Sequence, residues 1–178
     1  AVKKMQDRNY FGTMMLECGE ADAFISGLTK SYPQTIRPTL QIIGTEDGFN
    51  RVAGMYIIHS KRGTYFFADT TMNVDPTPED LVDIIGLTAR AVRIFNIEPR
   101  IAVLSYSNFG SSSGEVPTKM KKATELARQK YPDLIIDGDI QANVALSTEI
   151  MQDMYPFSTL SSKEANTFIF PNLAAGNI

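Results

Sequence analysis

Hydrophobic positions along the chain change period from segment to segment, and the period names the element. Residues 10–18 have helical apolar spacing, with Asn9 placed to cap the start and Gly19 just past the end. Phe24 and Ile25 read as a short apolar strand stopping at Ser26 and Gly27. A second helix is predicted over residues 33–43, with Ser31 as its cap and Gly44 after it, and Pro38 expected to kink it or move its start. Residues 52–59 and 64–69 are rich in Val, Ile, Tyr and Phe, and the link at 60–63 is the right length for an antiparallel hairpin. The clearest helix follows. Thr77 and Asp80 can form a capping box, Pro78 suits the first turn, and Leu81, Ile84, Ile85, Thr88, Val92 and Phe95 share one face.

From there a unit repeats. Residues 101–104 form an apolar run that feeds the polar stretch 105–114 and a helix over 118–130. Residues 134–136 repeat it, followed by Asp137, Gly138, Asp139 and a helix around 142–154. Residues 168–170 do so again, before Pro171, Asn172 and a helix beginning at Leu173. Such a succession predicts an α/β fold: a mostly parallel sheet with helices on both faces, right-handed crossovers, and the antiparallel hairpin added. At 178 residues one domain is the default. The apolar helical pattern at 173–178 has only just started where the chain ends, so it is read as part of a longer chain.

Composition narrows the class. Hydrophobic residues make up 43% and charged residues 21%, the balance of a folded globular protein. Net charge is −3, and Lys119, Lys121 and Lys122 are interleaved with Glu115 and Glu125, which argues against nucleic acid. No apolar run approaches the roughly 20 residues that cross a bilayer, so no membrane association is expected. The lone Cys18 has no disulfide partner, which favours a reducing compartment and the cytoplasm. Its apolar neighbours Met14 and Met15 favour core packing over a nucleophile or ligand.

Loops leaving the carboxyl ends of parallel strands line the ligand crevice of such folds. Here they carry Ser26 and Gly27, residues 105–110 with Ser105, Ser107 and Asn108, then Asp137 to Asp139, and Pro171 with Asn172. Hydroxyls and backbone amides ahead of a helix suit an anion, phosphate or carboxylate. Arg37 could grip a phosphate through two parallel charge-assisted bonds, or sit on the surface as an ordinary ion-pairing arginine. The serines and Asn108 could donate to a ligand or cap the next helix. Asp137 and Asp139 could serve a ribose, a metal or a helix cap, with the cap favoured. His59, the one histidine, adjoins a predicted turn, and no GxSxG elbow, Walker sequence or GxGxxG after a strand is present.

Several strings, in order, resemble the phosphotransacetylase family: Asn9-Tyr10-Phe11-Gly12-Thr13-Met14, residues 21–27 ending at Ser26-Gly27, residues 35–43 around Arg37-Pro38, and Phe67-Ala68-Asp69. Val103-Leu104-Ser105, Asp137-Gly138-Asp139 and residues 170–178 continue the likeness over nearly the whole chain. Ser107-Asn108-Phe109-Gly110 resembles the domain appended to hybrid NADP-dependent malic enzymes more than free-standing members.

The resemblance implies transfer of an acetyl group between coenzyme A and phosphate without a metal in this segment. Arg37 becomes the catalytic arginine holding the phosphoryl group, Ser26 and Gly27 lie beside the same anion, and Thr70, Ser105, Ser107 and Asn108 contact substrate. Thr70 stands where many active members have cysteine, and a further CoA-lining segment would fall beyond Ile178. The first expectation is therefore a regulatory acetyl-CoA-binding domain of a malic enzyme, with NADP and a divalent metal confined to that other part. The second is a working phosphate acetyltransferase, and the third a structural dimerisation module. A homodimer is implied in each.

Overall fold

The computed structural model describes residues 2–178, which divide into two compact units, one ending at Phe49 and one running Asn50–Ile178. The first unit is helical. α1 (Val2–Met5) leads into α2 (Arg8–Glu17), and α3 (Tyr32–Ile42) packs on α2. The predicted cap Asn9 proves to lie inside α2, because Asp7 two residues earlier takes that place: its carboxylate accepts the Asn9 amide at 2.9 Å. Ser31 does begin α3, and its amide donates to the Gln34 side chain at 3.2 Å. Pro38 is accommodated within α3, buried on its inner side, and neither ends the helix nor moves its start.

Two further readings are corrected in this unit. Phe24 and Ile25 form no strand; Ile25 is 96% exposed and pairs with nothing in a sheet. Cys18 is exposed at the end of α2, outside the core its methionine neighbours suggested.

The second unit is an α/β sheet. β1 (Met55–Ser60) and β2 (Gly63–Ala68) form the hairpin, with Ser60 opposite Gly63 and only Lys61 and Arg62 in the turn. α4 (Pro78–Ile94) follows, then β3 (Arg100–Leu104), α5 (Glu115–Lys130) and β4 (Ile135–Ile140). Two short helices, α6 (Ala142–Ala145) and α7 (Thr148–Met154), stand in place of the single helix predicted there. β5 (Thr167–Ile169) and a 3-10 turn at Ala175–Asn177 complete the unit. Strand order is β1-β2-β5-β3-β4; β2, β5, β3 and β4 run parallel and only β1 runs against its neighbour.

Alternation along β3 explains the layering. Ile101 and Val103 face a core completed by Leu81, Ile84 and Ile85 of α4 and Met120 and Ala123 of α5. Ala102 and Leu104 face the opposite core, with Val144, Met151 and Phe168. The capping box of α4 forms as read, Asp80 amide on Thr77 Oγ1 and Thr77 amide on Asp80 Oδ2, while Phe95 ends the helix half exposed rather than on its buried face.

Candidate functional site

Four parallel strands deliver their carboxyl ends to one edge of the sheet, and each loop leaving that edge is tied to another. After β2, the Asp69 carboxylate accepts backbone amides from Gly54, Thr71 and Asn73 at 3.0, 2.9 and 2.6 Å. This buried anion shapes the turn and leaves Thr70 pointing inward. Thr70 is 1% exposed and its hydroxyl has no hydrogen-bond partner. The segment after β5 folds back on the same turn, where Asn177 Nδ2 donates to the Thr70 carbonyl at 2.9 Å.

At the end of β3, Ser105, Ser107 and Asn108 come together, but most of their polar atoms serve the chain. The Ser105 hydroxyl accepts the Ser107 amide, and buried Ser107 accepts the Ser112 amide, both at 3.2 Å. Asn108 makes a reciprocal pair with Gln141 beyond β4: its Nδ2 donates to Gln141 Oε1 at 3.0 Å and its Oδ1 accepts the Gln141 amide at 2.8 Å. This pair fastens the two loops at fixed separation.

The run Asp137 to Asp139, read as a loop after a strand, lies within β4 instead. Neither aspartate caps a helix. Asp137 is buried between the Arg128 guanidinium at 2.6 Å and the Ser158 hydroxyl at 2.7 Å. Asp139 accepts the Gly110 amide through Oδ1, while its Oδ2 is buried without a partner. His59 is exposed in the hairpin, its Nδ1 3.1 Å from Thr64 Oγ1.

In the helical unit three consecutive residues at the start of α2 each hold one residue of the following loop. The Asp7 carboxylate pairs with Lys30 Nζ at 2.5 Å, Arg8 donates to the Thr29 hydroxyl, and Asn9 Oδ1 accepts the Ser26 hydroxyl at 2.6 Å. The Lys30 hydrogen bond, helped by the Asn9 amide, holds the Asp7 carboxyl below its usual range. Gly27 has φ +136°, a conformation that side chains rarely adopt, so the turn after Ser26 depends on glycine. Arg37 is exposed on α3, with no hydrogen bond or ion pair to any described residue.

Sequence reasoning named Ser26, Gly27, Arg37, Thr70, Ser105, Ser107 and Asn108; it missed Asp69, Gln141, Asn177 and the Arg8–Thr29 pair. Asp69 carried a readable signal, an aspartate at the last position of a strand ahead of polar turn residues. The other three depend on partners 21 to 107 positions away in sequence, which no local pattern displays.

Residues 1–178 match the family described as phosphate acetyl/butaryl transferase from end to end. The chain belongs to that family. It is 39% identical over 178 residues to the phosphate acetyltransferase of Bacillus subtilis, and 38% identical over 177 residues to that of Escherichia coli. The match takes in 100% and 99% of this chain, but 55% and 25% of those two relatives, so the chain spans about half or a quarter of their lengths. A phosphotransacetylase from Streptococcus pyogenes superposes with a TM-score of 0.89 at 40% identity, covering 98% of this chain and 54% of that one. A phosphotransacetylase from Staphylococcus aureus gives 0.86 at 36%, over 95% and 52%.

These relatives overturn the malic enzyme reading. The relatives compared above, matched over 95% or more of this chain, are named phosphate acetyltransferase or phosphotransacetylase, and those names carry no malic enzyme. The Ser107-Asn108-Phe109-Gly110 string, which had suggested the appended domain, is accounted for by loop structure: Asn108 holds Gln141, and the Phe109 amide donates to the Asp139 carbonyl at 2.6 Å.

Proposed function

We propose that the chain is the part of a phosphate acetyltransferase that binds acetyl phosphate and the thiol end of coenzyme A. The observation carrying this reading is the 39% identity to a phosphate acetyltransferase over 178 residues, a span within which the Ser26-Gly27 turn and Arg37 lie. In the proposed reaction the CoA thiolate attacks the acetyl carbonyl carbon, an S–C bond forms, and the C–O bond to phosphorus breaks. Inorganic phosphate leaves with that electron pair. Negative charge therefore accumulates on the phosphate, and a guanidinium together with the amides of a glycine turn would stabilise it.

Arg37 suits this role because nothing in the described chain occupies its guanidinium. Ser26 and Gly27 would contact the same anion. Thr70, with its unpartnered hydroxyl, and Ser105 would face the substrate, while Ser107 and Asn108 would keep the β3 and β4 loops at the right spacing. Burial of the Thr70 hydroxyl without a protein partner costs roughly 1–3 kcal/mol, a cost that a ligand acceptor would remove. A homodimer working in the cytoplasm completes the reading.

The test is calorimetric. Arg37→Ala in the full-length protein should weaken acetyl phosphate about tenfold or more, the equivalent of one charge-assisted hydrogen bond. Unchanged affinity would remove Arg37 from the site.

A further inference from the structure

Asn9 is fully buried, and only one end of its carboxamide is used: Oδ1 accepts the Ser26 proton at 2.6 Å, whereas Nδ2 has no acceptor. In that arrangement the Ser26 hydroxyl has spent its single proton on Asn9, and its oxygen offers lone pairs to whatever approaches. Lone pairs repel a phosphate. A carboxamide is nearly symmetric in shape, so a half turn about χ2 exchanges its two ends with little steric change. Nδ2 then donates to Ser26 Oγ, the idle donor gains its acceptor, and the Ser26 proton is released.

We propose that Asn9 is a positioning residue that sets the direction of the Ser26 hydroxyl, turning it from acceptor to donor when an oxyanion occupies the Ser26-Gly27 turn. The inference rests on the reading of that turn as an anion contact. Three features support it. The orphaned Nδ2 lies on the same side chain that already holds Ser26. Asn9 sits in the first turn of α2, where the Asp7 carboxylate fixes its backbone amide at 2.9 Å. The loop is clamped on both sides of Ser26, by the Arg8 and Asp7 contacts to Thr29 and Lys30 and by Phe24 lying so close over Gly12 that a Cβ there would come within 2.4 Å of its ring. Movement is thus confined to the amide and the hydroxyl.

Asn9→Asp tests this, since a carboxylate of the same shape only accepts and would keep the Ser26 proton. Binding of acetyl phosphate and of inorganic phosphate is measured on the full-length protein, in the natural and Ser26→Ala backgrounds, together with KM and kcat. The expected result is a loss of about tenfold in affinity at pH 8, expressed in KM for acetyl phosphate rather than in kcat for bound substrate. The loss should shrink as pH falls and the new carboxyl takes up a proton it can share, and should vanish when Ser26 is already alanine. An equal, pH-independent loss in the Ser26→Ala background would overturn the role of Asn9. If Ser26→Ala alone left phosphate affinity unchanged, the anion reading of the turn would fail instead. Should Asn9→Asp not fold, Asn9→Ala replaces it in the same cycle, with coupling to Ser26 still required.

Discussion

Asp137 and Ser158 are both buried and share a 2.7 Å hydrogen bond in which the hydroxyl donates to the carboxylate, joining β4 to the loop beyond α7. The same carboxylate accepts the Thr159 amide at 2.9 Å and pairs with Arg128, whose Nε also donates to the Ile136 carbonyl at 2.9 Å. One aspartate thereby fixes an edge strand to a helix and to a loop 21 residues away in sequence. Asp137→Ala should lower stability by about 3 kcal/mol, because it strands a buried hydroxyl and amide as well as breaking the ion pair. Ser158→Ala, which removes that donor and the acceptor of the Leu160 amide at 3.1 Å but leaves the ion pair intact, should cost less, about 1–2 kcal/mol. Urea unfolding of the two variants checks both the size and the order.

Asp69 yields a second expectation of the same kind at the site itself. Its two oxygens organise the 69–73 turn through backbone amides, and Gly176 lies so close that a Cβ would come within 2.9 Å of the Asp69 carbonyl. Asp69→Ala should release that turn, lowering the unfolding midpoint and raising hydrogen exchange at Thr71, Met72 and Asn73 ahead of the rest of the sheet. Uniform exchange across the sheet would count against Asp69 as the local anchor.

The order in which these features became legible has a physical basis. Elements whose signal is local were read well: the α4 capping box, the hairpin turn opposite Ser60 and Gly63, and the apolar run of β3 that alternates between two cores. Phe24 and Ile25 misled because apolar character implies a strand only if a neighbouring strand supplies hydrogen bonds, and none does. Asp137 and Asp139 misled for the opposite reason. Charged residues ordinarily end a buried strand, yet β4 continues through these two because Arg128, Ser158 and the Gly110 amide compensate the carboxylates from elsewhere in the chain. At the candidate site the residue types were visible, but whether Asn108 and Ser107 serve a ligand or each other's loops depended on contacts up to 33 residues apart.

The start of α4 should report on acid. Burial pushes the Asp80 carboxyl up, but the Arg51 guanidinium and the Thr77 amide and hydroxyl outweigh it and hold the group below the usual carboxylate range. A depressed folded value means that the stabilisation is complete above the unfolded value of about 3.9 and is lost as pH falls through the folded one. Asp80→Asn should therefore lower stability by about 0.5–1 kcal/mol at pH 7, a modest amount because Arg51 is half exposed to solvent. The difference from the natural protein should close as pH falls through the lowered folded value, where Asp80 itself becomes neutral. A gap that persisted in acid would mean that packing, not charge, distinguishes the two side chains.

Thr70 separates stability from function. Its hydroxyl is buried and unpartnered, so Thr70→Val, which keeps the shape and deletes the polar group, should leave the fold equally stable or up to about 1–3 kcal/mol more so. A hydroxyl that engages the substrate cannot be deleted so freely: acetyl transfer should fall about tenfold in kcat/KM, and Thr70→Ser should recover most of it. The two measurements must move in opposite directions or apart. Full activity in a stabilised Thr70→Val variant would show that the hydroxyl serves neither fold nor ligand, and Ser105 would be left as the candidate on that edge of the sheet.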